Sequence, residues 1–245
     1  MAHGTEYGDA LAIDQDEDVR VITLNRPERL NAFTPSSYRA FAAALGEAAG
    51  DEQTGAVLVV GAGRAFCSGV DLVELATTAP SEVAGAFDEL IGELLDFPKP
   101  LVAGVHGSAV GFGATLLLHC DVVIVADDAR LRLPFTELGT VPEAGSSWLL
   151  AQAIGGQRAS ELLLTARWIT GTEAVTLGIA SRATESGSVR AEAMELAHRA
   201  AALPRAATAA TKSLIRHGRA DAVRAAMQRE HEAGGRLGPL HWNRP

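Results

Sequence analysis

Leu101-Val102-Ala103-Gly104-Val105-His106-Gly107-Ser108-Ala109-Val110-Gly111-Phe112-Gly113 is the stretch that decides the fold. Its first five residues form a continuous apolar run, as a strand buried on both faces requires. Glycines then mark a turn, and residues 111–119 continue as an apolar helix. A second stretch follows the same plan. Residues 56–60 are an apolar strand-like run ending at Gly61-Ala62-Gly63, and Phe66-Cys67-Ser68-Gly69-Val70-Asp71-Leu72 opens another helix-like run. A turn at a helix start leaves main-chain N–H groups without intrahelical partners, where they can meet negative charge. Glu143, in Gly139-Thr140-Val141-Pro142-Glu143-Ala144-Gly145-Ser146-Ser147, supplies a carboxylate. Two such donors beside one carboxylate are the parts needed to stabilise an enolate and move a proton.

Outward from these turns, Val19-Arg20-Val21-Ile22-Thr23-Leu24 alternates and predicts a strand entering the loop Asn25-Arg26-Pro27-Glu28-Arg29. Alanines, Phe41 and Leu45 at helical spacing predict a helix over Pro35–Gly50, with Thr34 at its N-cap. A helix over residues 81–97 is stopped by Pro98 and Pro100. Further strands are expected at 122–126 and 131–135, helices at 144–154, 157–166 and 172–177, and a last strand at 179–183. From Ser188 the chain turns to long Ala/Arg/Glu helices broken at Pro204. The expected division is an α/β core over residues 1–187 and a helical region over residues 188–245. Residues 216–232 read as an exposed helix face with i,i+4 charge pairs. Gly234-Gly235-Arg236-Leu237-Gly238-Pro239 should stop that helix, ahead of His241-Trp242-Asn243-Arg244-Pro245.

A chain of 245 residues with 47% hydrophobic and 21% charged residues can bury a sizeable core. Its net charge of −9 argues against a broad nucleic-acid footprint or an anionic membrane surface. The acidic first residues show no apolar signal-peptide core. The most apolar stretch, residues 101–118, is broken by His106, Ser108 and glycines, a poor membrane span. Cys67 and Cys120 are too few for a disulfide framework and have no paired zinc spacing, so no metal is expected. A reduced cytoplasmic protein is the simplest reading.

Taken together and in order, several segments resemble the enoyl-CoA hydratase/isomerase (crotonase) superfamily. They are Leu24-Asn25-Arg26-Pro27-Glu28-Arg29-Leu30-Asn31-Ala32, Ala65-Phe66-Cys67-Ser68-Gly69-Val70-Asp71-Leu72, Lys99-Pro100, His119-Cys120-Asp121, and Pro134-Phe135 with the segment 139–145. The resemblance implies a crotonase-type spiral of ββα units and a C-terminal helical region used in trimer formation, often as dimers of trimers. It implies acyl-CoA thioesters as substrates, with coenzyme A part of the substrate and no separate cofactor. It further implies two main-chain N–H groups on the thioester oxygen, mapped here onto Ser68 and Phe112. Gly69, Val70, Leu72 and Gly111 surround them, Asp71 orders the loop, and main chain at Arg29 and Leu30 meets CoA.

Similar hydratases use two glutamates, and those positions fall here on Thr115 and Phe135, neither of which is a carboxylate. Glu143 instead matches the single acid of similar Δ3,Δ2-enoyl-CoA isomerases. The expected reaction is therefore 3-enoyl-CoA to 2-enoyl-CoA, a step of fatty acid metabolism, with Glu143 moving one proton and burial raising its pKa. Two alternatives stand: a hydratase-type lyase working with one glutamate, and a non-catalytic acyl-CoA-binding member. Glu143 also reads as a helix first-turn acid, Gly69 and Gly111 as plain tight turns, Asp71 as a helix cap, and the Phe112 ring as packing. Cys67, Cys120, His106 and His119 read as packing residues rather than nucleophiles or bases. Glu137 is the rival acid, in a surface turn, and Lys212 or Arg219 a candidate for a CoA phosphate.

Overall fold

The computed structural model describes residues 8–237, so the expected sequence end at His241-Trp242-Asn243-Arg244-Pro245 lies outside it. In chain order the elements are β1 (Leu11–Asp16), β2 (Val19–Leu24), α1 (Pro35–Gly50), β3 (Ala56–Gly61), α2 (Leu72–Leu75) and α3 (Pro80–Asp96). Next come β4 (Leu101–Val105), β5 (Ser108–Val110), α4 (Phe112–Thr115) with a 3₁₀ turn at Leu116–His119, β6 (Val122–Ala126) and β7 (Arg130–Arg132). The chain continues through α5 (Ser146–Ile154), α6 (Gly156–Thr165), β8 (Ile169–Thr170), α7 (Gly171–Leu177) and β9 (Arg182–Thr184). It ends in α8 (Val189–Ala201), α9 (Arg205–Ile215) and α10 (Arg219–Gly234). No helix among the described residues is long and apolar enough to cross a membrane.

A six-stranded sheet has the order β1-β2-β3-β4-β6-β9, antiparallel only between β1 and β2. Its register aligns Ile22 with Val59, Val59 with Ala103 and Ala103 with Val123. These central strands are covered on both faces, which is why they are written as continuous apolar runs. One cover is α8, whose Val189, Ala193, Ala197 and Ala201 recur every four residues and are all buried. Elsewhere α1 packs on α3, bringing Tyr38, Phe41 and Leu45 together with Phe87, Leu90, Ile91 and Leu94. Burial of each such large side chain contributes about 1.5–3 kcal/mol.

A second sheet, β5-β7-β8, is small but positions the two glycine turns. An isolated bridge pairs Cys67 with Ala109, Ala109 pairs with Leu131, and Leu131 with Ile169. Another bridge pairs Phe33 with Val70, attaching the loop after β2 to the first turn. Asn31 fastens that loop from inside. Held at φ 57°, it accepts from the Arg26 N–H at 2.9 Å through its amide oxygen. Its amide nitrogen donates to the carbonyls of Ala62, Ala65 and Phe66 at 2.8, 2.8 and 3.2 Å.

Thr34 caps α1 as the sequence predicts, accepting from the Ser37 N–H at 3.1 Å. Other expectations are corrected. The strand expected over 131–135 stops at Arg132, because Pro134 has no N–H for a ladder. The strand expected from 179 starts at Arg182, since the N–H groups of Ile179 and Ala180 close α7 by bonding to Ala174. The helix expected from 144 starts at Ser146, after Ala144 and Gly145 turn through φ 58° and 69°. Strands β1, β5 and β8 carry no reading in the sequence.

Replacing Asn31 with alanine removes four hydrogen bonds and leaves buried carbonyls unmatched in a left-handed conformation that alanine disfavours. We expect a loss of about 3 kcal/mol in unfolding free energy. Urea denaturation checks this; a midpoint like that of the unmodified chain would remove Asn31 from this role.

Candidate active site

Main-chain bonds bring the two turns into contact: Cys67 donates to Ser108 at 3.1 Å, and Val110 donates to Cys67 at 2.9 Å. Gly69 makes the contact possible. At φ 97° it leaves no room for a side chain, and a Cβ there would meet the Val110 carbonyl oxygen at 2.9 Å. The same Cβ would lie 3.6 Å from the Phe112 nitrogen, so the first turn reaches the start of α4.

Most N–H groups of this junction are already engaged. Ser68 donates its main-chain N–H to Leu30 at 3.0 Å, Gly69 to the Cys67 sulfur at 3.3 Å, and Gly111 to Arg132 at 3.0 Å. Asp71 donates to Phe33 at 2.8 Å. Among the described residues, no acceptor takes the N–H of Val70 or of Phe112. The Ser68 expectation is therefore corrected: the bridge between Phe33 and Val70 directs that loop's ladder bonds through Gly69 and Asp71, and the donor left over is Val70.

The charge of Glu143 acts on Cys67 and on Tyr38, which packs against the Phe112 ring, so Glu143 lies near the junction. Its residue is half-buried, yet burial of the carboxyl, with the charge of Glu230 as a second cause, raises its pKa to about 7. Its field reaches both turns' surroundings. Burial first, and Glu143 next, hold the Tyr38 hydroxyl of α1 well above the usual tyrosine range. The Cys67 thiol is pushed up to about 12, chiefly by burial, with the Gly69 N–H opposing and Glu143 adding. Cys67 is thus a neutral packing residue. The Phe112 ring packs edge-on against Phe33, Tyr38 and Phe87 at centroid distances of 4.9, 5.0 and 5.6 Å.

The enoyl-CoA hydratase/isomerase family model matches residues 14–235. The chain belongs to this family. It is 34% identical to the 1,2-epoxyphenylacetyl-CoA isomerase of Escherichia coli, over 77% of this chain and 75% of that protein. It is also 34% identical to a probable enoyl-CoA hydratase, echA8, of Mycobacterium leprae, over 84% of this chain and 81% of that one. The crystal structure of an enoyl-CoA hydratase/isomerase from Pseudoalteromonas atlantica T6c superposes with a TM-score of 0.87 at 34% identity, covering 92% of this chain and 90% of that one. The mixed α/β fold with C-terminal helices is this family's fold. Isomerases and hydratases both stand among these relatives, so the reaction has to be argued from the site.

The other expected residues of this family member are placed as follows. Asp71 caps α2 by accepting from Val73 and Glu74, and pairs with Arg26 at 3.1 Å. Burial raises its pKa, but the Arg26 bond and the cap outweigh that and leave it lowered; its role is to hold the loop. Leu72 begins α2 beside it. The N–H groups of Arg29 and Leu30 close a turn onto Arg26 and Pro27, so neither is free for a ligand. Thr115 is buried and donates to the Phe112 carbonyl; Phe135 is buried too. Glu137 is exposed and ion-paired to Arg132. Lys212 is buried against Asp121 at 2.7 Å, and Arg219 donates to the Leu118 carbonyl, so both expected phosphate contacts are turned inward.

One residue escaped the sequence reading. Glu230, expected on an exposed helix face, is 6% exposed and accepts from Gly145 and Ser147 at 2.8 and 2.9 Å. The signal was present: Val223, Ala226, Met227 and Glu230 share one buried stripe, and a carboxylate on such a stripe needs donors. His119, expected as a packing residue, is fully buried and bonds through Nε2 to the Ala144 carbonyl at 2.9 Å. Burial, then Arg219, lowers its pKa to about 3, despite the Ala144 bond, so it is neutral.

Because the folded Glu143 holds its proton to about pH 7 against an ordinary 4.5, the folded state binds more protons between those values. Stability from this group is present below the unfolded pKa and lost as pH rises toward 7. Glu143→Gln should then stabilise the chain at pH 8 by on the order of 3 kcal/mol, with the gain vanishing below pH 4.5. Thermal unfolding of both proteins across this range tests it. A pH-independent difference would contradict the buried titration.

Proposed function

We propose that the chain isomerises 3-enoyl-CoA thioesters to 2-enoyl-CoA thioesters, with Glu143 as the only acid/base. The observation that carries this reading is the raised pKa of Glu143, about 7, beside a junction whose Val70 and Phe112 N–H groups have no acceptor. A carboxyl poised near neutrality serves as base and then as acid in one turnover.

In this reading the thioester oxygen lies between the N–H groups of Val70 and Phe112. The Glu143 carboxylate takes the C2 proton, and the electron pair moves into the carbonyl to give a dienolate. The two N–H groups stabilise its oxygen, each worth about 3–4 kcal/mol of barrier in comparable sites. The Glu143 carboxylic acid then returns the proton at C4, and the double bond comes to rest between C2 and C3. No water is consumed, so the buried Thr115 and Phe135 pose no obstacle. Water addition has no such support, because Glu137 is held at the surface by Arg132. For the CoA headgroup, an open cleft of about 1060 Å³ lies along Asn25, Arg26, Pro27, Glu28 and Arg39. Arg29, next in sequence, is exposed.

On a trans-3-enoyl-CoA, Glu143→Gln should lower kcat about 10³-fold while CoA binding is kept. Growth of the conjugated-thioester absorbance reports the reaction. Near-wild-type turnover by the variant would defeat the assignment. Crotonyl-CoA, offered to the unmodified enzyme, should keep its absorbance; rapid loss would favour the hydratase reading instead.

A further inference from the structure

The turn that carries Glu143 is built from left-handed residues and held by side chains from distant parts of the chain. Ala144, at φ 58°, is an uncommon conformation for a residue with a Cβ, and Gly145 follows at φ 69°. Such a turn persists only where its surroundings determine it. From one side, neutral His119 donates through Nε2 to the Ala144 carbonyl. From the other, both carboxylate oxygens of Glu230 take main-chain N–H groups, Oε2 from Gly145 and Oε1 from Ser147. These are the first amides of α5, where a carboxylate is favoured by the helix dipole.

The placement of Glu230 is itself fixed. It continues the buried stripe of α10, behind Val223, Ala226 and Met227, where α10 packs on α5. A Cβ at Gly145 would approach Val223 Cγ1 at 2.6 Å, so glycine there lets α10 close onto the turn.

We infer that Glu230 is a positioning residue for the proton transfer: it fixes the Glu143 turn by accepting from Gly145 and Ser147 through both oxygens, and so sets a second carboxyl group near that of Glu143. The inference rests on the assignment of Glu143 as acid/base. Glu230 touches no substrate; it acts by keeping Glu143 in place and willing to carry a proton. The other groups facing the Glu143 turn do not supply a negative charge. Tyr38 and Cys67 are neutral up to high pH, and His119 is neutral down to about pH 3. Arg216 and Arg219, behind His119, carry the opposite sign and donate to the carbonyls of His119 and Leu118. Burial first, and the charge of Glu230 second, raise the Glu143 pKa.

The test follows the Glu143 carboxyl directly, by ¹³C NMR of glutamate-labelled protein, with the resonance identified by its absence in Glu143→Gln. Glu230→Gln keeps size and removes charge, and it retains one acceptor for the two N–H groups. Its Glu143 midpoint should fall by about one pH unit, and its kcat on a 3-enoyl-CoA about tenfold with KM within twofold. Glu230→Asp keeps the charge one methylene farther off. It should show a smaller midpoint shift with kcat still reduced, and it decides the matter alone if the glutamine variant does not fold. Unchanged midpoint and kcat, with only a lower Tm, would overturn the inference and leave Glu230 a helix cap. Full activity in Glu143→Gln would instead overturn the isomerase assignment, while the NMR shift would still report whether Glu230 acts on Glu143.

Discussion

The pairing of Cys67 with Ala109 is the constraint from which the site follows. It joins two chain segments that each leave an apolar strand and enter a helix. Once joined, nearly every N–H at the junction has an assigned acceptor: Cys67 in Ser108, Ser68 in Leu30, Gly69 in the Cys67 sulfur, Gly111 in Arg132. What remains is a remainder in a strict sense. Main-chain donors are normally paired when enclosed by protein, so the unassigned N–H groups of Val70 and Phe112 are suited to an acceptor that comes from outside. Asn31 and the Arg26–Asp71 pair keep the junction from relaxing and satisfying these donors internally.

Electrostatics then decides what such a place can do. A carboxylate left in water would be a weak base at its ordinary pKa. Moving it into an enclosed setting costs about 1.4 kcal/mol for each unit of upward shift, and the fold carries that cost through its packing. For Glu143 the result is a group near half-protonation at neutral pH. A one-proton shuttle needs both protonation states within reach, whereas water addition with two carboxylates divides the roles between residues. The electrostatic state of Glu143 and the absence of carboxylates at positions 115 and 135 therefore argue in the same direction.

Much of this was legible in the chain. Continuous apolar runs marked β3, β4 and β6, and Thr34 with its helical spacing marked α1, because local propensity and tertiary burial agree there. The glycine turns and Glu143 were legible for the same reason: a special backbone or a lone acid stands out against an apolar background. Strands β5 and β8, of three and two residues, were not, since their pairing is set by distant partners rather than by their own pattern. The Ser68 assignment failed on a similar point. Which of several consecutive N–H groups is left unpaired depends on whether the loop holding Leu30 and Phe33 folds back onto the turn, and no local signal states that. Glu230 was hidden among the arginines and glutamates of α10, where composition says surface and only the stripe from Val223 says interior.

The C-terminal helices are consequently more than an appendage to the sheet. Arg216 and Arg219 donate to the His119 and Leu118 carbonyls, at the end of the same helical segment whose first N–H belongs to Phe112. Cations at that end and an anion at the other each suit the helix dipole. About three turns farther along, α10 delivers Glu230 to the Glu143 turn. One continuous segment thus grips the donor side of the site and the acid side together. Loosening α10 would move the carboxyl and the N–H groups relative to one another, and proton transfer is sensitive to displacements of about 1 Å. The halt of α10 at Gly234 is compatible with this, because Glu230, which bonds to the Glu143 turn, comes one turn earlier.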